Sequence, residues 1–228
     1  MSVLVIAAHP DDEVLGCGGT IARLAGEGET VHIAILGEGI TSRHARREDA
    51  DLSAIDDLHA DSRQAADVLG AASVQNFQFP DNRFDTVPLL EIVHQLESLI
   101  TRHRPRTVFT QHGGDLNVDH QVTFRATLTA TRPLKACPVH RVYSYEVASS
   151  SEWAFGEFMP VFSPHVWFDI GATLDRKIEA MQAYRSESRT FPHPRSPEAL
   201  RAAAVCRGSQ AGLPAAEAFA LVREIRPV

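Results

Sequence analysis

Residues 7–16 read Ala-Ala-His-Pro-Asp-Asp-Glu-Val-Leu-Gly, so one histidine and three acids fall within five positions at the end of an apolar run. Carboxylates crowded against a protein core repel one another and lose hydration, and only a cation or a dense set of hydrogen bonds offsets that cost. A second concentration of the same residue types, Gln111-His-Gly-Gly-Asp-Leu-Asn-Val-Asp-His120, also follows an apolar run directly. A divalent cation shared by the two stretches would turn repulsion into coordination. His9 and Asp12 are three residues apart, which puts both on one side of a first helical turn while Asp11 points elsewhere. With His120 as the third donor, the set is two imidazoles, one carboxylate and an open position, the arrangement that a catalytic zinc ion uses. Zinc lowers the pKa of a bound water from about 15.7 to about 7, which makes water nucleophilic toward an amide carbonyl at neutral pH.

For the two stretches to meet, the elements carrying them must end side by side. Val3–Ala8, Val31–Leu36 and Thr107–Thr110 are short apolar runs of the kind given by strands buried on both faces. Helical patterns lie at Asp12–Ala25, Asp61–Leu69 and Leu89–Arg102, with Gly70 placed as a stop. Strand and helix in alternation predict an α/β fold, a three-layer Rossmann-like domain with a mostly parallel sheet, whose ligands bind beyond the carboxyl ends of the strands. Both acid-rich stretches sit at such ends.

The last third reads as helical. Leu174, Ile178, Met181 and Tyr184 share one face, and a proline-rich loop at Thr190–Pro197 leads to a helix with Ser196 as N-cap, Pro197 at its first position and Gly208 as stop. A final helix is expected over Ala215–Ile225. Arg43–Asp61, rich in acids and poor in apolar residues, reads as a surface loop or a lid over the site. No repeat or low-complexity linker divides the chain, so residues 1–228 are expected to form one domain. The glycines at 16, 18 and 19 are separated from the first strand by the acidic stretch, which favours close helix-on-sheet packing over a dinucleotide loop. Cys17 has no base beside it in sequence and reads as a small buried residue.

The strand and HPDDE at Val3–Glu13, the GxGG at Gly16–Gly19 and the Asp119–His120 pair about a hundred residues later together resemble the PIG-L (LmbE-like) family of zinc-dependent N-deacetylases. His193-Pro-Arg-Ser and Ala216-Glu-Ala-Phe219 are similar to the tail of bacterial members. The resemblance implies that His9, Asp12 and His120 bind Zn2+, and that Asp11 is the general base that deprotonates water and then protonates the departing amine. It implies that Asp119 is the acid that orients a histidine. It also implies an N-acetylated amino-sugar substrate, of the N-acetylglucosamine type or a conjugate, cleaved to acetate and a free amine. One departure stands out: many members carry a histidine three residues before the last ligand and a tyrosine two residues before that, where this chain has Asn117 and Asp115. The donor to the developing oxyanion is then Asn117, His112 or His193, with Asn117 first by position.

Asp81 and Arg83, in a Pro-Asp-Asn-Arg turn, and Arg43, after Gly37-Glu-Gly, join His112 and His193 as candidates to face substrate. A net charge of −7 and a pI near 5.9 argue against nucleic acid and anionic membrane as partners. The apolar run Val3–Ala8 is too short for a signal or a membrane span, and three scattered cysteines form no metal or disulfide pattern, so a cytoplasmic protein is expected. Self-association into a homo-oligomer is left open by the sequence. Other readings of the same residues are a non-haem iron facial triad, an amidase for a non-sugar N-acyl substrate, and a nucleotide-binding module, the last having no use for Asp11.

Overall fold

The structure, a computed structural model, describes residues 1–41 and 52–226. Among the described residues seven strands form one sheet: β1 (Ser2–Ala7), β2 (Thr30–Gly37), β3 (Ser73–Phe79), β4 (Thr107–Gln111), β5 (Arg141–Tyr145), β6 (Val166–Asp169) and β7 (Ala216–Glu224), in the order β3-β2-β1-β4-β5-β7-β6. The first five run parallel, and β7 lies antiparallel between β5 and β6. The helices are α1 (Asp12–Gly26), α2 (Leu52–Leu69), α3 (Leu89–His103), α4 (Val118–Ala130), α5 (Leu174–Ala183) and α6 (Pro197–Ser209). Among them none is long and apolar enough to cross a membrane.

The unbroken apolar run of β1 follows from burial on both faces. Val3, Val5 and Ala7 enter the core shared with α1, α2 and α5, whereas Leu4, Ile6 and Ala8 enter the core shared with α3 and α4. Strand order reverses between β1 and β4, which pair in parallel with Val5 opposite Phe109. The two chains therefore leave the sheet side by side, and α1 and α4 both begin at that edge. This is the switch point at which doubly wound sheets bind ligands.

Gly16 lets α1 lie against the sheet: a Cβ there would sit 2.7 Å from Tyr145 Cε2 and closer still to Cδ2, and the Tyr145 hydroxyl is tied to Ile6 O at 2.7 Å. Gly19 meets Ile170 in the same way. Gly70 ends α2 at φ 76°, a conformation that glycine tolerates without strain. Ser196 caps α6 through its Oγ and Pro197 opens that helix, but α6 runs to Ser209 and Gly208 lies inside its last turn, where a Cβ would meet Leu213 O at 2.6 Å.

Two expectations need correction. Helix α2 starts at Leu52, so residues 52–61 are not loop, while Arg43 and the rest of the expected lid lie outside the described residues. The stretch expected as a final helix is β7, and its register on both β5 and β6 decides the matter. Ala, Glu, Leu and Arg favour helix locally, yet a slot between two strands overrides a preference of a few tenths of a kcal/mol per residue. Glu217 fixes the slot. Its carboxylate accepts the N–H groups of Gly19 (3.0 Å) and Thr20 (2.7 Å) and pairs with the buried Lys177 Nζ at 2.6 Å. Glu217→Ala would leave Lys177 buried without its counter-charge, so a loss of about 3–5 kcal/mol is expected, read as a lowered urea midpoint; Glu217→Gln should lose less.

Candidate metal centre

The chain leaves β1 through a turn so tight that Asp11 adopts φ 107°, a left-handed conformation rare for a residue with a side chain. Asp12 then opens α1. Its Oδ2 accepts the His9 backbone N–H at 2.8 Å and the Gln111 side-chain amide at 3.0 Å, and lies 3.3 Å from His9 Nδ1 and 3.2 Å from His120 Nε2. His9 precedes the helix rather than sitting in its first turn, so the turn, not helical spacing, brings His9 and Asp12 together.

The second stretch is shaped by Asn117, whose side-chain oxygen accepts the Asp119 N–H at 2.8 Å and so caps α4. His120 follows within the first turn. Its Nδ1 lies 3.0 Å from Asp115 Oδ1, off the ideal hydrogen-bond axis. Asp115 is itself held by the Asn117 N–H at 2.9 Å, by Ser151 Oγ at 2.5 Å and by Ser150 Oγ. Asp119 takes a different partner: its Oδ2 meets His9 Nε2 at 2.9 Å, and its two oxygens accept the N–H groups of Asn82 and Phe84. Each imidazole thus has one nitrogen on its own acid and the other toward Asp12, the geometry in which a carboxylate fixes the tautomer of a ligating histidine.

Metal-donor atoms of His9, Asp12 and His120 lie within 4.8 Å of one another, close enough to hold one divalent cation, and two imidazoles with a carboxylate suit zinc. His9, Asp81 and Asp119 meet the same distance, but Asp119 is already committed to two backbone N–H groups and to His9. Neighbouring charges shift the proton affinity of each of these groups. Burial alone would lower the His120 pKa, but Asp12 and Asp115 outweigh it and push it to about 9; Asp119 and Asp12 likewise raise His9. Burial would raise Asp12, yet the two histidines hold it well below the usual carboxylate range.

These residues floor a polar cleft of about 270 Å³ that Asp11, Asp81, Asn117 and His193 also line. A larger cavity of about 400 Å³ between α6 and β7 contains none of the metal-donor residues. Arg83 and His112 fall outside the cleft. Arg83 is exposed, and the His112 ring is buried, with Nε2 2.6 Å from Pro160 O and the ring 5.2 Å from Phe162. Asn117 Nδ2 donates to Asn82 Oδ1 at 3.0 Å. The cleft also gathers residues that the sequence reading passed over. Arg195 reaches Asp11 Oδ2 at 2.7 Å, Trp153 stands 5.7 Å from the His193 ring, and Ser149 and Ser150 come from the loop after β5. Arg195 belongs to the His193-Pro-Arg-Ser tail, Asp115 stands where many family members carry a tyrosine, and nothing in the serine run signals its place.

The PIG-L family model, described as GlcNAc-PI de-N-acetylase, matches residues 4–131. The uncharacterized deacetylase YaiS of Escherichia coli is 30% identical over 163 residues, 69% of this chain and 78% of that protein. A probable N-acetyl-alpha-D-glucosaminyl L-malate deacetylase 2 of Bacillus cereus is 26% identical over 193 residues, 82% of this chain and 83% of its own. Among solved structures, the conserved protein TT1542 of Thermus thermophilus superposes with a TM-score of 0.76 at 28% identity, covering 99% of this chain and 96% of that one. GalB, the 4-carboxy-2-hydroxymuconate hydratase of Pseudomonas putida, reaches 0.78 at 23% identity over 100% and 98%, a likeness of fold alone. With its strand-end histidines and acids in place and more than half its length matched, the chain belongs to the PIG-L family of deacetylases.

Proposed function

We propose that the protein is a zinc-dependent hydrolase that removes the N-acetyl group from an N-acetylglucosamine-type amino sugar or its conjugate and releases acetate. The observation that carries this reading is the convergence of His9, Asp12 and His120 beside Asp11 on the floor of one polar cleft. Those three residues would hold the cation, which when bound supplies Lewis acidity toward water and the acetyl oxygen.

Asp11 has the proton work. It takes a proton from the attacking water and returns it to the departing amine nitrogen, a two-way task for one positioned carboxylate. Burial raises its proton affinity, Arg195 opposes this, and Asp12, Glu187 and Glu13 reinforce it, leaving Asp11 well above the usual carboxylate range. The oxyanion donor narrows to Asn117 or His193, because the His112 Nε2 is spent on Pro160 O away from the cleft. His193 Nδ1 accepts the Arg195 backbone N–H at 3.1 Å, which leaves Nε2 to carry the proton. Polar walls favour sugar hydroxyls over an apolar acyl chain, and the name of the Bacillus cereus relative, a glucosaminyl malate deacetylase, supports the same class.

Asp11→Asn should keep its metal by elemental analysis yet lose about 100-fold or more in acetate release from a panel of N-acetylated sugars, whereas His120→Ala should lose the metal. Near-wild-type turnover in Asp11→Asn would remove the assigned base. No chelator-sensitive acetate release from any panel member would overturn the deacetylase reading itself.

Metal loading should also release protons. In the metal-free protein His120 titrates near 9 and His9 is raised, so at pH 7 an incoming cation displaces their protons and affinity climbs with pH toward about 9. Calorimetric titration in buffers of differing ionisation enthalpy counts those protons. The stability that protonated His120 lends the metal-free fold is fully present below pH 6.5 and is lost as pH rises through about 9.

A further inference from the structure

Arg195 enters the cleft from the segment between α5 and α6, and its guanidinium touches three side chains. Nη1 lies 2.7 Å from Asp11 Oδ2 and 3.1 Å from Glu187 Oε2, and Nε donates to Ser149 Oγ at 2.8 Å. Two of these partners share a peculiarity. Asp11 is held at φ 107° and Ser149 at φ 67°, both in the left-handed region that side chains disfavour. Such strain persists only where surrounding contacts over-determine the conformation, and it concentrates at working sites.

The consequences extend past Asp11. The residues after Ser149 are Ser150 and Ser151, whose hydroxyls both donate to Asp115, the carboxylate beside His120 Nδ1. One guanidinium therefore ties together the strained turn that carries Asp11 and the strained turn that holds the acid behind His120. We propose that Arg195 is a positioning residue for deacetylation, locking the Asp11 carboxylate in register with the His120 side of the cleft. The inference rests on the reading of Asp11 as the proton-transfer group. It also explains an arginine here: Nε and Nη1 of one rigid fork reach Ser149 and Asp11 from two nitrogens at a fixed spacing, which the donors of an ammonium, all on one nitrogen, do not reproduce.

The test compares Arg195→Ala and Arg195→Lys with Arg207→Gln, which breaks an ion pair to Glu146 away from the cleft. Metal content should be unchanged in all three. In both Arg195 variants kcat should fall by about 100-fold, the loss expected from a catalytic group misplaced by about 1 Å, with KM shifting far less. Added guanidinium should restore part of the Arg195→Ala rate. Should Arg195→Ala fail to fold, Arg195→Lys carries the comparison. A near-wild-type kcat, a loss confined to KM, or loss of the metal would overturn the proposal.

If wild-type protein releases no acetate from any sugar tested, the deacetylase reading fails, and the clamp is read from stability instead. Arg195→Ala and Ser149→Gly should shift the urea midpoint non-additively, because glycine relieves the strain that the arginine maintains. Additive shifts would overturn the clamp.

Discussion

A single oxygen, Asp12 Oδ2, gathers the His9 backbone N–H, the Gln111 amide, His9 Nδ1 and His120 Nε2 within 3.3 Å. A carboxylate this buried costs several kcal/mol unless its charge is answered. The answer comes from three elements at once: the turn after β1, the end of β4 and the first turn of α4. Misplacing any of them would strip Asp12 of part of that compensation, so the constraint that keeps the sheet's central junction closed also brings the candidate cation donors together. The N-termini of α1 and α4 point into the same place and add modest support for negative charge there.

Around that oxygen the acids divide their labour. Asp119 backs His9, Asp115 backs His120 and Asp12 faces both, so each imidazole has its two nitrogens committed in opposite directions. Asp11 alone among the four is turned to an arginine. The strained backbone at Asp11 accounts for this: with φ at 107° its side chain leaves the line of the other acids and faces the wall built by the C-terminal third.

The division also follows the chain. Every candidate cation donor falls within the family-matched residues 4–131, whereas Ser149, Trp153, His193 and Arg195 come from beyond them. The matched part brings together the candidate donors, and the later part supplies much of the cleft wall around them.

Much of this was legible in the residues themselves. Apolar runs at β1, β2 and β4 announced buried parallel strands, and the acids at two strand ends announced a shared site, because local composition reports directly on burial and on donor chemistry. Ser196 and Gly70 marked helix ends through backbone preferences that neighbours rarely override. What the sequence could not decide was every contact made across large separations. Asp119 on His9 rather than on its neighbour, His112 turned to Pro160 and Arg195 set against Asp11 all depend on which loops the sheet order brings together. The same holds for β7, whose helix-forming residues became a strand because hydrogen-bonding partners on both sides outweigh a local propensity worth only tenths of a kcal/mol per residue. Residue types fixed the available chemistry, and the packing of distant segments decided which atoms face one another, since contact energy depends on proximity in space and not on order along the chain.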